Sequence, residues 1–273
     1  MIDTISREAY DASDAVNYSS LKNMRVSAAH YFHRLTVRQK ETPTMTRGTS
    51  VHMAIFEPSR FLAEHVVFGG ERRVGGEWKA FEEKHAHRII MKQNEMDFCL
   101  GLAEAVRTPP IAGPRIARCE GRHEQTVTWT DATSGLSCKA RLDTYDDKGL
   151  LLDLKQCRSV DGRQFGQQAH AMFWHGQSCF YGEGLIANGV PVAERLIIAV
   201  ENDPTGPMDV GVFDVGQDAL FAASEELREL LAKVKQGRET GVWPGRYAEV
   251  QELILPRWAF PEDDDLGLTM EDG

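Results

Sequence analysis

The sequence predicts an α/β protein with a mixed central β-sheet flanked by helices, and three observations carry that prediction. From about residue 122 the hydrophobic period changes from helical to two, which gives three consecutive strands. A long helical stretch follows at 163–188, and two more strands come after it. Helical sequence also precedes all of these strands, so the pattern is that of helices packed on a sheet.

In chain order, Tyr18–His33 carries Leu21, Met24, Ala28, Tyr31 and Phe32 on one approximate helical face, with Ser19 or Ser20 as the N-cap. After a polar stretch from Gln39 to Met45, Thr46–Glu57 is predicted as a short, buried helix stopped by Pro58, with His52 at its middle. Residues 59–76 read as a strand or loop around Val66–Phe68 and a Gly-rich turn, and 77–107 as two helices ending at Thr108-Pro109-Pro110. Val127 and Trp129 alternate with threonines before a turn at Asp131–Gly135. Leu136, Cys138, Ala140 and Leu142 then form the apolar face of a second strand, and Leu150, Leu152 and Leu154 that of a third. Asp146–Gly149 is the hairpin connection between them.

The 163–188 helix has Phe165, Met172, Phe173, Phe180 and Leu185 as core candidates. Arg195–Val200 is expected to pair with Asp209–Val215, 217–236 to form an amphipathic helix, and Gly241–Trp258 an irregular packed tail. No repeat or linker interrupts the chain. Residues 1–261 are therefore expected to form a single domain, a helical part to about 120 and a sheet–helix core from about 121, followed by an acidic, disordered tail at 262–273.

Hydrophobic content of 42% and charged content of 26% are those of a soluble globular protein. No apolar run approaches the roughly 20 residues of a membrane span, and the N-terminus lacks a signal-peptide pattern, so a cytoplasmic protein is expected. The five cysteines are odd in number and form no CxxC pair, which argues against a zinc knuckle, a disulfide framework or a four-cysteine iron–sulfur cluster. Free, buried thiols are expected. The net charge of −10 owes much to the six acids after Phe260; without them it is −4, and a local basic lining is compatible with that body.

Asp153 and Lys155 point the same way from one strand, while Lys139, Arg141 and Asp143 lie opposite the apolar face of the strand before it. A carboxylate pair beside a lysine in apolar sequence is costly to build for structure alone. Two carboxylates can hold Mg²⁺, which polarises a phosphate and lowers the pKa of bound water. A nearby lysine can orient that water or stabilise developing negative charge. Taken alone, Asp-x-Lys equally fits a salt bridge on an edge strand, His52 a core histidine, and Gln177 with Tyr181 an ordinary helical i,i+4 pair. The leucine run before the triplet, and the hairpin that sets a second aspartate beside it, favour a phosphodiester-hydrolysing site.

Gly48-Thr-Ser-Val-His52, Arg141-Leu-Asp143, Asp153-Leu-Lys155 and Gln177-Ser-Cys-Phe-Tyr181 together resemble the PD-(D/E)XK nuclease superfamily. Within it the chain is similar to the RecE-like exonucleases, relatives of RecB-type nuclease domains. The opening Tyr18–Met24 and the closing Trp243-Pro244-Gly245 and Leu255-Pro-Arg-Trp258 share that likeness, which spans nearly the whole chain. It implies a restriction-endonuclease-like core in which Asp143, Asp153 and His52 ligate a metal with the backbone carbonyl of Leu154. Lys155 would be the catalytic lysine, and Gln177 and Tyr181 would flank the site and contact DNA. Glu124 corresponds to an accessory acid that some members carry on the first strand. Arg141, Gln156 and Arg158 are candidates for the DNA track, and Lys22 and Arg25 for a terminal 5′-phosphate.

The resemblance further implies Mg²⁺, with Mn²⁺ as a substitute. With only two aspartates beside His52, one metal is expected rather than two tightly held ones. The implied activity is 5′→3′ digestion of one strand of double-stranded DNA from its ends, leaving 3′ tails for DNA recombination and repair. The implied partners are a single-strand annealing protein of the RecT/Bet-like kind and further copies of the chain, in a ring-shaped trimer or tetramer. The implied source is bacterial or phage-encoded. A structure-specific or restriction-type endonuclease and a catalytically idle DNA-binding subunit remain open alternatives.

Overall fold

In the computed structural model, residues 1–37 and 42–259 are described; the acidic stretch 262–273 and part of the polar stretch 39–45 lie outside them. The strands are β1 (Ile2–Asp3), β2 (Val16–Asn17), β3 (His65–Val67), β4 (Ile89–Met91), β5 (His123–Thr130), β6 (Ser137–Tyr145), β7 (Leu150–Cys157), β8 (Glu194–Glu201) and β9 (Val210–Asp214). The helices are α1 (Arg7–Ala12), α2 (Tyr18–Leu21), α3 (Ala28–Thr36), α4 (Pro43–Phe56), α5 (Pro58–Glu64), α6 (Gly75–Lys84), α7 (Gln93–Arg107), α8 (Ala112–Arg118), α9 (Gly162–Met172), α10 (Trp174–Ala187) and α11 (Gln217–Thr240).

The main sheet runs β1-β5-β6-β7-β8-β9, with β2 paired to β6. The β7–β8 pair and the β2–β6 pair are parallel and the rest antiparallel, so the sheet is mixed as expected. Leu150–Leu152 of β7 and Leu196–Val200 of β8 are continuous apolar runs because helices cover both faces there. Leu150, Leu152 and Leu154 join Ile198 and Val200 in a core with α4, α7 and α8. On the other face Leu151 packs with Val127, Leu142, Tyr145 and Leu185 of α10. Each fully buried leucine removes roughly 1.5–3 kcal/mol worth of apolar surface from water, so this double layer is what fixes the register of the strands that carry the site. Among the described residues no helix is long and apolar enough to cross a membrane. All five cysteines are free and buried.

Five local readings need correction. The single helix expected over 18–33 is α2, a 3-10 turn at Lys22–Arg25, and α3. Asn17 caps the first through the Ser20 amide, and the Ser27 hydroxyl caps the third through the His30 amide, so short polar side chains compete with a continuous helix. The 163–188 helix breaks at Phe173, which adopts φ 59 and ψ 38. Its ring is buried against Tyr18 and folds back over Gly176, where any Cβ would stand 2.5 Å from it. Residues 58–64 form α5, because Pro58 starts a helix at its first position as readily as it ends one. Ile89–Met91 pairs with β3 as a two-stranded sheet between α6 and α7, too short to show a period of its own. The closing tail is packed only as far as Trp243, which stacks on Phe32 at 5.4 Å; Val250, Leu253, Ile254 and Trp258 are exposed.

Candidate active site

The site forms where the sheet forks. Strands β6 and β7 share only the pairs Thr144↔Leu152 and Tyr145↔Leu151, closed by the turn at Asp146–Gly149. Asp146 holds that turn: one carboxylate oxygen accepts the Lys148 and Leu150 amides at 2.9 Å each, and the other accepts Arg118. Gly149 has φ 104, a conformation that L side chains rarely adopt. Beyond Leu152, β7 stays with β8, while β6 stays with β5 and takes β2 on its vacated edge at Cys138 and Lys139. In the gap the Asp143 carboxylate accepts the Leu154 N–H at 2.7 Å, in place of a ladder bond.

A slip in alternation aims the carboxylates. Leu142 and Tyr145, three apart, belong to the same core cluster, so side-chain direction shifts by one between them. Opposite Asp143 on β5, Glu124 has φ 52, a left-handed conformation that costs a non-glycine residue about 1–3 kcal/mol. The result brings Glu124 and Asp143 to His52 of α4. The His52 Nδ1 lies 3.5 Å from Asp143 Oδ1, and one donor atom from each of the three residues lies within 4.8 Å of the others. Helix α4 is anchored nearby by Ser50, whose buried hydroxyl meets His65 Nε2 at 2.9 Å.

Asp153 and Lys155 stand beside this trio. Their ion pair measures 2.5 Å, and the other Asp153 oxygen accepts Gln177 Nε2 at 3.0 Å. Asp153 is therefore adjacent to the trio but engaged with Lys155 and Gln177. Tyr181, one turn on from Gln177, is half-buried, and burial together with Asp153 and Asp143 raises its phenol well above the usual tyrosine range. The Trp174 ring lies 5.9 Å from Lys155 Nζ.

The electrostatics are those of crowded acids. Burial, and then the Asp143 charge, push Glu124 up to about 7. Burial also raises Asp153. Burial opposes ionisation of Asp143 too, but His52, Lys155 and the Leu154 amide outweigh it and hold Asp143 below the usual carboxylate range. His52 is raised because the Asp143 charge outweighs its burial. Two repelling carboxylates and an imidazole within one coordination radius form a donor set that fits a divalent cation, whose charge would relieve that repulsion.

The other sequence candidates separate into groups. Lys22 is half-buried near Lys155 and Arg34, and burial followed by those two charges lowers its pKa. Arg25 is paired with Glu226 at 2.6 Å and lies 4.2 Å over the Phe173 ring. Arg141 donates to the Ile5 carbonyl at 3.0 Å and faces the Tyr10 ring at 4.8 Å, so it is bound to the N-terminal segment. Gln156 is half-buried and Arg158 exposed. Trp174 and Arg34 escaped the sequence reading, since neither sits at a spacing that marks it.

A mixed sheet forking around two aspartates, with a lysine two residues after the second and a histidine from a preceding helix, is the PD-(D/E)XK nuclease fold. The chain belongs to the family described as PDDEXK-like domain of unknown function (DUF3799), whose profile matches residues 17–254. This bears out the superfamily that the motifs implied. A crystal structure of a candidate exonuclease from Eubacterium rectale is similar in fold, with a TM-score of 0.59 and 13% identity over 95% of this chain and 99% of that one. No curated protein matches the sequence.

Proposed function

We propose that this chain is a Mg²⁺-dependent 5′→3′ exodeoxyribonuclease that degrades one strand of double-stranded DNA from its ends. The observation that carries the reading is the Asp153–Lys155 ion pair standing beside the His52–Glu124–Asp143 trio in the fork of the sheet. His52, Glu124 and Asp143 would hold the cation, with Asp153 and the Leu154 carbonyl as the remaining candidate ligands. When bound, such a cation polarises the scissile phosphate and lowers the pKa of a water. Lys155 supplies a positive charge beside the phosphate, where negative charge builds during displacement. Gln177 fixes the Asp153 carboxylate by its hydrogen bond, and Tyr181 stands one turn further along the same helix face. Lys22, with Lys155 and Arg34 near it, adds the positive potential that draws a phosphate or a terminal 5′-phosphate to this end of the site. Mn²⁺ would substitute, since the carboxylate, carbonyl and water oxygens that suit Mg²⁺ suit it as well.

The products would be 3′ single-stranded tails, handed to a single-strand annealing protein in recombination or repair. The exposed apolar run from Val250 to Trp258 supports contact between copies, consistent with a ring-shaped trimer or tetramer. Enclosure of DNA in such a ring would give processivity with few phosphate contacts, in keeping with the acidic net charge of −10. The test is digestion of a linear duplex labelled separately at each 5′ and 3′ end, with and without Mg²⁺, alongside closed circular DNA. Loss of label from 5′ ends, abolished by Asp153→Ala and by Lys155→Ala, is expected. Intact linear duplex, or digestion unchanged by Asp153→Ala, would refute the reading, and cutting of closed circles would turn it into an endonuclease.

A further inference from the structure

A cavity of about 400 Å³ opens beside the site among α9, β8, β9 and the start of α11, within the size range of small-molecule pockets. Its floor is Ile197 and Phe213, Phe165 and Gly166 form one wall, and His170 and His175 stand at its polar edge. The sheet register ties this floor to the site. Asp153 pairs with Ile197, and Ile197 pairs with Phe213, so the three residues form one row across three strands. Residues paired in register share a face, and neighbouring strands are about 4.8 Å apart. The floor therefore begins one strand from the Asp153 carboxylate and extends away from it. The wall is shared as well: Phe165 stacks on Phe213 at 4.2 Å and meets Trp174 at 5.4 Å, and Trp174 is the ring beside Lys155.

Building on the nuclease reading, we propose that this cavity is a nucleobase subsite, which takes one unpaired base of the substrate strand next to the phosphate held at Asp153 and Lys155. Three properties favour a base over other occupants. The half-buried Phe213, backed by the buried Phe165 on which it stacks, presents aromatic surface to the cavity, and base–aromatic contact tolerates any base because each has a π-face. The His170 and His175 rings, nearly parallel at 11° and 5.9 Å apart, bring ring nitrogens to the edge of an otherwise apolar space. A neutral imidazole can both donate and accept, which suits the hydrogen-bonding edge of a base, and burial followed by the nearby His170 lowers the His175 pKa. Asp214, also on the lining, disfavours an anion, so the phosphate stays outside at the lysine.

Gly166 provides the test. It is exposed and lines the cavity, and a Cβ there would meet nothing within 4 Å, so side chains of increasing size can be introduced at this wall to narrow the space. Replacing a helical glycine also favours the helix, so these variants should fold. The full chain is titrated with 2-aminopurine deoxyriboside in EDTA, and quenching of the base fluorescence is compared across Gly166→Ala, Gly166→Leu and Gly166→Trp. Saturable quenching in the parent protein is expected, with apparent affinity falling stepwise and at least tenfold by Gly166→Trp. The same order should hold for an oligonucleotide carrying 2-aminopurine at its 5′ end. Absence of quenching, or one affinity across the series, overturns the subsite, whatever happens to DNA digestion. Quenching lost on filling the cavity, in a protein that cuts no DNA, keeps the subsite and removes the nuclease reading instead. Disruption of an oligomer by Gly166→Trp without any nucleoside quenching assigns the cavity to contact between copies and likewise overturns it.

Discussion

Replacing Asp146 by alanine should destabilise the protein by about 3 kcal/mol, although the residue takes no part in the proposed chemistry. The carboxylate is buried and accepts two backbone amides, those of Lys148 and Leu150, besides the Arg118 guanidinium. Leaving the buried Leu150 amide unpaired costs about 1–3 kcal/mol, and the less buried Lys148 amide about 1. The Arg118 side chain is 40% exposed, so solvent screening leaves its ion pair worth at most about 1 kcal/mol. For a domain of this size 1 kcal/mol moves Tm by about 2–4 °C, which places the expected fall near 6–12 °C. Asp146→Asn keeps an oxygen for the two amides and loses only the charge, so it should cost about 1 kcal/mol. The pH dependence has a definite sign. Burial opposes the charge of Asp146, but the Leu150 amide and Arg118 outweigh it and hold the carboxyl below its usual range. Its contribution is therefore complete above the unfolded carboxyl pKa of about 3.9 and is lost as pH falls through the lower folded value. Calorimetry and urea unfolding of the two variants, at pH 7 and near pH 3, measure all of this. A loss below 1 kcal/mol for Asp146→Ala, or equal losses for alanine and asparagine, would refute the reasoning.

Three further outcomes are expected. Leu152→Ala, at a fully buried position in the core under α4 and α7, should cost about 2–5 kcal/mol, read as a lower urea midpoint with unchanged slope. His65 is buried between Ser50 and the Phe61 carbonyl, and burial lowers its pKa, so it contributes stability above the unfolded histidine pKa of about 6.5 and loses it as pH falls through the lowered value. Thermal melts from pH 7.5 to 5 should show that loss in the parent and less of it in His65→Asn. Lys139 is 3% exposed and donates to the Ser13 carbonyl at 2.7 Å and to the Tyr10 carbonyl, so Lys139→Ala should loosen residues 1–15, seen as faster limited proteolysis there.

The hairpin and the pairing of Asp153 with Lys155 were legible because strand alternation is a local rule: the two share a face whatever surrounds them, and the turn announces itself in Asp146–Gly149. The positions that misled are those where packing outweighs a local rule. Phe173 is a fair helix residue, yet burial of its ring against Tyr18 holds it left-handed and ends α9. Glu124 carries no mark of its positive φ, so its arrival beside Asp143 could not be read from spacing. The same holds for Arg141, whose partners Ile5 and Ser6 stand some 135 residues away in sequence. That His52 stands beside Asp143 was legible only through the family resemblance, since no periodicity links α4 to β6.

The bond from the Leu154 amide to Asp143 also makes one backbone proton a gauge of the whole centre. Where β7 amides are bonded to neighbouring strands, protection against hydrogen exchange depends on opening the sheet, a property of the entire core. At Leu154 the acceptor is a side-chain carboxylate, so its protection follows the ionisation and occupancy of Asp143 while the neighbouring amides hold still. Exchange at this amide thus reports, without any substrate, whether the Asp143 carboxylate of the candidate site is free, protonated or occupied.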